Sequence, residues 1–129
     1  MATEQDAIQG HIPSAQFTFK ASGAITKGMI VKFSAAGVVE KCGAGELGKF
    51  VAAEAVADGD YGQFTGLGGC EVAAGAAMAT AGTFFKSDAN GQAIAVAADK
   101  DAYIGYTVGV AGKANDVIAA VVCPGFYAA

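Results

Sequence analysis

The chain repeats itself. Placing Gly28 over Gly82, a shift of 54 residues (82 − 28), also puts Thr26 over Thr80, Lys32 over Lys86 and Gly37 over Gly91. A duplication constrains the fold more than any composition figure, because both copies must suit one supersecondary unit and two such units must pack together. The first copy is centred on the stretch from Gly23 to Phe33, Gly-Ala-Ile-Thr-Lys-Gly-Met-Ile-Val-Lys-Phe.

Each copy reads as β structure. Met29 to Phe33 is rich in strand formers, Ser34 to Gly37 carries turn residues, and Val38 to Lys41 resumes a strand, which together predict a hairpin. In the second copy Thr83 to Lys86 leads into Ser87-Asp88-Ala89-Asn90-Gly91, where Asn-Gly supplies the positive φ of a tight reversal, and Gln92 to Val96 returns. A glycine and an apolar stretch follow each hairpin, Gly48 to Ala52 and Gly105 to Gly109. These align at a shift of 57 (105 − 48), so a small insertion is expected. Turn residues then precede a strand in both copies: Asp58 to Asp60 before Tyr61 to Thr65, and Lys113 to Asp116 before Val117 to Val122. Between the copies, Gly68-Gly69 is expected to reverse the chain so that Cys70 to Val72 pairs back on the Tyr61 strand. Glu54 to Ala57 is too short to hold a helix unaided, so one short helical turn is the most expected.

Outside the repeat, Gln16 to Lys20 alternates and puts Phe17 and Phe19 on one strand face. Residues 1–16 mix polar and apolar side chains without period and contain Pro13, which predicts an extended N-terminal arm. Residues 124–129 are expected to leave the sheet as a tail carrying Phe126 and Tyr127. Short strands, glycine-rich turns and the lack of helical periodicity predict an all-β barrel or sandwich. One β domain is expected over 17–123, with repeat halves at about 21–67 and 73–122.

Composition bounds the function classes. At 129 residues the chain buries roughly two-thirds of the surface it exposes unfolded, and needs no metal or disulfide to fold. Hydrophobic residues make up 53%, but no run reaches the roughly 18 apolar residues of a membrane span. Much of that fraction is small alanine, so the core rests on Phe, Tyr, Ile, Val, Leu and Met, and so thin a core gains by association. A net charge of −4 removes the footprint expected of a nucleic-acid binder. The start, Met1 to Asp6, lacks a positive n-region and apolar h-region, which predicts synthesis in a cytoplasm without export. Cys42, Cys70 and Cys123 form no CxxC pair and are odd in number, so free thiols, buried as small apolar residues, are expected.

No motif assembles a catalytic group. Gly43-Ala44-Gly45-Glu46-Leu47-Gly48-Lys49-Phe50 fits both GxGxxG and the GxxxxGK part of a phosphate loop. However, Phe50 stands where a metal-binding hydroxyl is required, and no helix follows to aim its dipole. His11 is the single histidine, without a marked ligand cluster, and no other histidine exists to act as base for Cys42. Asp58, Asp60, Asp88, Asp99, Asp101 and Asp116 lie at turn positions, where Asp is favoured for local backbone hydrogen bonds. No cofactor and no metal is expected. The alternative is a small β-barrel ligand-binding or enzymatic module, which needs a concave pocket with converging polar groups.

The phrase from Gly23 to Lys32, with the glycine-centred turn and Val38-Val39 after it, resembles the opening of the capsid cement (head decoration) proteins of tailed bacteriophages. The second copy resembles that family's repeat of the phrase, through Gly75 to Met78, Gly82, Lys86 to Gly91 and Tyr103 to Tyr106. The resemblance covers roughly Ala21 to Val122. It implies a β-barrel or β-tulip-like module, non-enzymatic and homo-oligomeric (dimer or trimer). Such a module binds the outer surface of the assembled head and bridges neighbouring major capsid protein subunits. Residues expected to meet the coat or a sister protomer are Ile8, His11, Ile12, Phe17, Phe126 and Tyr127.

Overall fold

A computed structural model of the chain describes residues 14–97 and 101–126. Nine strands form one sheet: β1 (Ser14–Ala21), β2 (Ile30–Ala35), β3 (Val38–Lys41), β4 (Phe50–Ala52), β5 (Tyr61–Ala73), β6 (Phe84–Ser87), β7 (Ala93–Ala95), β8 (Ala102–Thr107) and β9 (Val117–Phe126). There is no helix among the described residues, and Glu54 to Ala57 makes no helical turn. Both predicted hairpins form, as β2–β3 and β6–β7.

The sheet order is β1-β3-β2-β4-β5-β9-β8-β6-β7, and β1 also pairs with β5. The first five strands therefore close into a ring. The second half, β5-β9-β8-β6-β7, closes through a parallel bridge between Ala74, just past β5, and Ala93 in β7. The two rings share β5.

The ladder also fixes the true register of the duplication. Val31 pairs with Lys41 as Phe85 pairs with Ala95, so the hairpins stand 54 residues apart (85 − 31, 95 − 41). Val31 pairs with Phe50 as Phe85 pairs with Gly105, so β4 and β8 stand 55 apart (105 − 50). The counterpart of Gly105 is Phe50, not Gly48 as the glycine alignment had it. Phe17 pairs with Phe64 as Cys70 pairs with Ala120, which makes β1 the counterpart of the second part of β5 (70 − 17 = 53) and the first part of β5 that of β9 (120 − 64 = 56). The shift drifts because loops, not strands, take insertions. Since β1 runs antiparallel to β5, the two halves are related by an operation that reverses strand direction.

Three expectations need correction. The chain does not reverse at Gly68-Gly69: β5 runs straight through, because Gly68 pairs with both Ser14 and Val122 and is where β5 changes partner from β1 to β9. Gly68 does take a positive φ of 92°, which glycine allows, but the ladders on both sides carry β5 onward instead of back on itself. The halves are accordingly not 21–67 and 73–122; each begins one strand earlier, at β1 and within β5. The arm and tail are also shorter than expected. Ser14 to Gln16 pair with β5, and Pro124 to Phe126 belong to β9, where Phe126 pairs with Ala102. Pro124 is tolerated because β9 is bulged there, with Tyr103 opposite Gly125 but Gly105 opposite Val122.

Two clusters make the core. Ala21, Ile25, Val31, Val39, Ala52, Val56 and Phe64 fill the first ring. Six of their counterparts, Ala74, Met78, Phe85, Ala93, Ala111 and Ala120, recur in the second cluster, and the seventh position, that of Ala52, holds the buried Thr107. The large residue has changed strand: Val31 with Phe64 in one ring, Phe85 with Ala120 in the other. That exchange keeps the filled volume while moving the ring across the core. Ile30 and Val51, which alternate with Val31 and Ala52, point the other way into the second cluster, so Ile30–Val31 and Val51–Ala52 are buried on both faces of the sheet. Backbone bonds fasten this wall, from Ile30 N to Gly91 O (2.7 Å) and from Ala73 N to Gly28 O (3.0 Å).

Candidate functional site

Alternation along β1, β2 and β4 puts Phe17, Phe19, Phe33 and Phe50 on the inward side of the first ring, at the end beyond Val31 and Phe64. There they form one connected group. Ring centroids lie 4.9 Å apart for Phe19 and Phe50, 5.2 Å for Phe19 and Phe33, 5.3 Å for Phe33 and Phe50, and 5.7 Å for Phe17 and Phe50. Several of these contacts are edge-to-face, the arrangement the ring quadrupole favours. Gly66 makes the approach possible, since a methyl group there would come within 2.8 Å of both Phe17 and Phe50.

This end of the ring is open: Phe17 and Phe33 are each 46% exposed. The second ring answers differently at the same positions, where Cys70, Val72, Ser87 and Gly105 replace the four phenylalanines. Cys70 and Val72 are buried in a cluster with Ile30, Cys42 and Val51 of the first half, and the Ser87 hydroxyl donates to Cys42 O (3.4 Å). One copy of the duplicated ring end is closed by its neighbour. The other presents aromatic surface to solvent, which makes this face the candidate interaction site.

Of the residues singled out from sequence, Phe17 is part of this face. Phe126 lies at the end of β9, 75% exposed, apart from the four grouped phenylalanines. Ile8, His11, Ile12 and Tyr127 fall outside the described residues. Sequence reasoning missed Phe33 and Phe50. The signal was present: Val31 and Phe33 alternate like Phe17 and Phe19, and comparison at the correct register would have set bulky Phe50 against Gly105.

The glycine motif at Gly43 to Phe50 is a connecting loop between β3 and β4. Its donor is already used, because the Gly43 N–H bonds the Glu46 carboxylate (2.9 Å), which also pairs with Lys32. Gly48 is buried against Ile30 and Ile104, and Lys49 points to solvent. Asp88 and Asp116 serve their turns, Asp88 accepting from Asn90 N and Gln92 N and Asp116 from Gly112 N and Lys113 N, whereas Asp58 accepts from the distant Gly23 N and Asp99 lies outside the described residues. Asp101 instead pairs with Lys86 at 2.9 Å. No group of three or more His, Cys, Asp or Glu side chains suited to a metal occurs among the described residues.

All three cysteines are free, Cys42 and Cys70 buried and Cys123 exposed. Burial pushes the Cys70 thiol up to about 12, with the Glu71 charge adding to it, and burial also raises Cys42. Thiolate is the reactive form, so a thiol reagent is expected to modify Cys123 alone in the native protein and all three in denaturant. Unfolded Cys70 ionises near 9.0 and folded Cys70 only near 12, so the fold is unaffected below pH 9 and loses stability as pH rises toward 12. Denaturation of the wild type and of Cys70→Ala across that range checks this, with the flatter profile expected for the variant.

No family model and no curated protein matches the chain. Among solved structures, the chain is similar to the head fiber gp8.5 N base of bacteriophage phi29. The TM-score is 0.67 at 18% identity, over 86% of this chain and 95% of that one. At that identity the likeness is one of fold: the chain and the phage protein share an all-β architecture.

Proposed function

We propose that this protein is a non-enzymatic bacteriophage capsid decoration (cement) protein. It binds the outer surface of the assembled head and bridges neighbouring major capsid protein subunits as a homo-oligomer. The observation that carries the reading is the fold likeness to a phage head fibre base. Two features agree with it. The cement-protein resemblance of Gly23 to Lys32 and its repeat lies in the segments that build the two rings, and the first ring ends in a grouped phenylalanine face.

The physics of such a role is multivalency. One small interface is weak, but an oligomer that grips several coat subunits gains avidity through effective concentration. A ligand that binds only the assembled shell also stabilises it by linkage, by about 2.7 kcal/mol at a hundredfold excess over Kd.

Co-sedimentation with purified heads of the phage that encodes the protein tests this. The protein is expected to pellet with expanded heads and to raise the temperature at which they release their contents. Deleting residues 2–13 should lower occupancy while leaving the β-body folded. Protein that stays in the supernatant at saturating concentration, with heads unchanged in stability, overturns the reading.

A further inference from the structure

The two hairpin turns are counterparts, yet only one of them is packed against the body. Gly37 and Gly91 stand 54 residues apart (91 − 37) with φ of 71° and 73°, so both turns end in the same left-handed glycine. A methyl group on Gly37 would meet nothing within 4 Å. On Gly91 it would come within 2.8 Å of Met29 Cγ and 3.0 Å of Ile30 O and of Lys41 Cγ, and Gly91 O accepts from Ile30 N at 2.7 Å. The second turn is seated on β2, at the wall between the rings. Alanine, Ala36, precedes the free glycine, whereas Asn90 precedes the seated one.

Asparagine before glycine can react with its own chain, because the missing Cβ lets the side-chain carbonyl approach the glycine nitrogen. Asn90 is exposed, and its side-chain amide makes no hydrogen bond among the described residues. The Gly91 N–H is held by Asp88 O at a long 3.4 Å, so a local opening of the turn releases it. Comparable positions are tied down. Asn115 Oδ1 accepts from Gln92 Nε2 (2.7 Å) and is followed by Asp116, while the Asp58 carboxylate before Gly59 accepts from Gly23 N (2.8 Å).

We propose that Asn90 is a self-modification site, which deamidates through a cyclic imide with Gly91, and that the isoaspartate product unseats this turn and loosens the joint between the rings. The Gly91 nitrogen gives up its proton and bonds to Asn90 Cγ, and the side-chain nitrogen takes a proton and leaves as ammonia. Water then opens the imide. Opening at the side-chain carbonyl yields ordinary aspartate; opening at the main-chain carbonyl routes the chain through the side chain, one methylene longer. Both products carry one new negative charge, but only the second moves Gly91. Gly91 has no room to move against Met29, Ile30 and Lys41, so the longer chain breaks its bond to Ile30 N. This change belongs to the free protein and does not depend on capsid binding.

Incubation of the full chain in mildly alkaline buffer, beside Asn90→Ala, tests the proposal. That variant copies Ala36, which occupies the same turn position in the first copy, and is expected to fold. The wild type is expected to release ammonia and gain one negative charge on ion exchange, with peptide mapping placing isoaspartate at 90, while the variant does neither. In the separated isoaspartate form the Ile30 amide should exchange at least about tenfold faster than in fresh protein, with the Phe64 amide unchanged. The aspartate form should keep Ile30 protected. Wild type that gains no charge overturns the proposal, as does equal release from Asn90→Ala or isoaspartate mapped elsewhere. An isoaspartate form whose Ile30 amide stays protected, or an aspartate form that loses protection equally, overturns the unseating of the turn.

Discussion

Gly105→Ala is expected to cost about 3 kcal/mol or more and to free the end of the second ring, although it adds a single methyl group. The added Cβ would lie 1.9 Å from Val121 O, 2.9 Å from Val121 C and 3.1 Å from Val122 Cα. These are backbone atoms of β9, so no side chain can rotate out of the way. Nor can β8 move alone, because Gly105 also faces Phe85 of β6 across the other ladder. Relief requires breaking β8 from β9, the strand that holds the second ring against β5. Urea denaturation should show the midpoint falling sharply, or no folded protein at all. A loss under about 1 kcal/mol would mean that β9 shifts freely and that Gly105 does not pair with Val122.

Phe85→Ala is expected to cost about 3–5 kcal/mol, a large share of the roughly 5–15 kcal/mol that holds a domain together. Phe85 is fully buried, and the small side chains about it, Ala93 and Ala120 among them, offer little to collapse into the space. Phe17→Ala, at an exposed site, should cost well under half as much. The duplication supplies a sharper check. Phe85→Val with Ala120→Phe rebuilds the Val31 and Phe64 pair of the first ring, so the double variant should be more stable than Phe85→Val alone. Equal or lower stability of the double variant would show that the two cores differ in shape as well as in the placement of their large residue.

Much of this fold could be read from residues, for definite reasons. The hairpins β2–β3 and β6–β7 were legible because turn chemistry at Ser34 to Gly37 and Ser87 to Gly91 is local, and so was the alternation of Phe17 with Phe19. What was not legible depends on pairing partners far away in sequence. Gly68-Gly69 looks like a reversal until β1 and β9 are known to flank it, and Pro124 looks like a strand end until the bulge opposite Tyr103 is known. The candidate site suffered in the same way. Phe33 and Phe50 are ordinary strand residues in isolation, and only the ring brings them to Phe17. Aligning Gly48 with Gly105 hid the fact that the copies differ most where one ring is covered and the other is open.

The sharing of β5 has a consequence for how this protein comes apart. Thirteen consecutive residues serve first as the last strand of one ring and then as the first strand of the next, with no linker between. Neither half can be cut away intact, since severing the chain near Gly68 removes the first strand of the second ring and bares Ile30 and Val51 on the first. The gene was doubled, but the product is a single cooperative unit: heat, denaturant or mechanical load must dissolve both rings in one step or leave both standing.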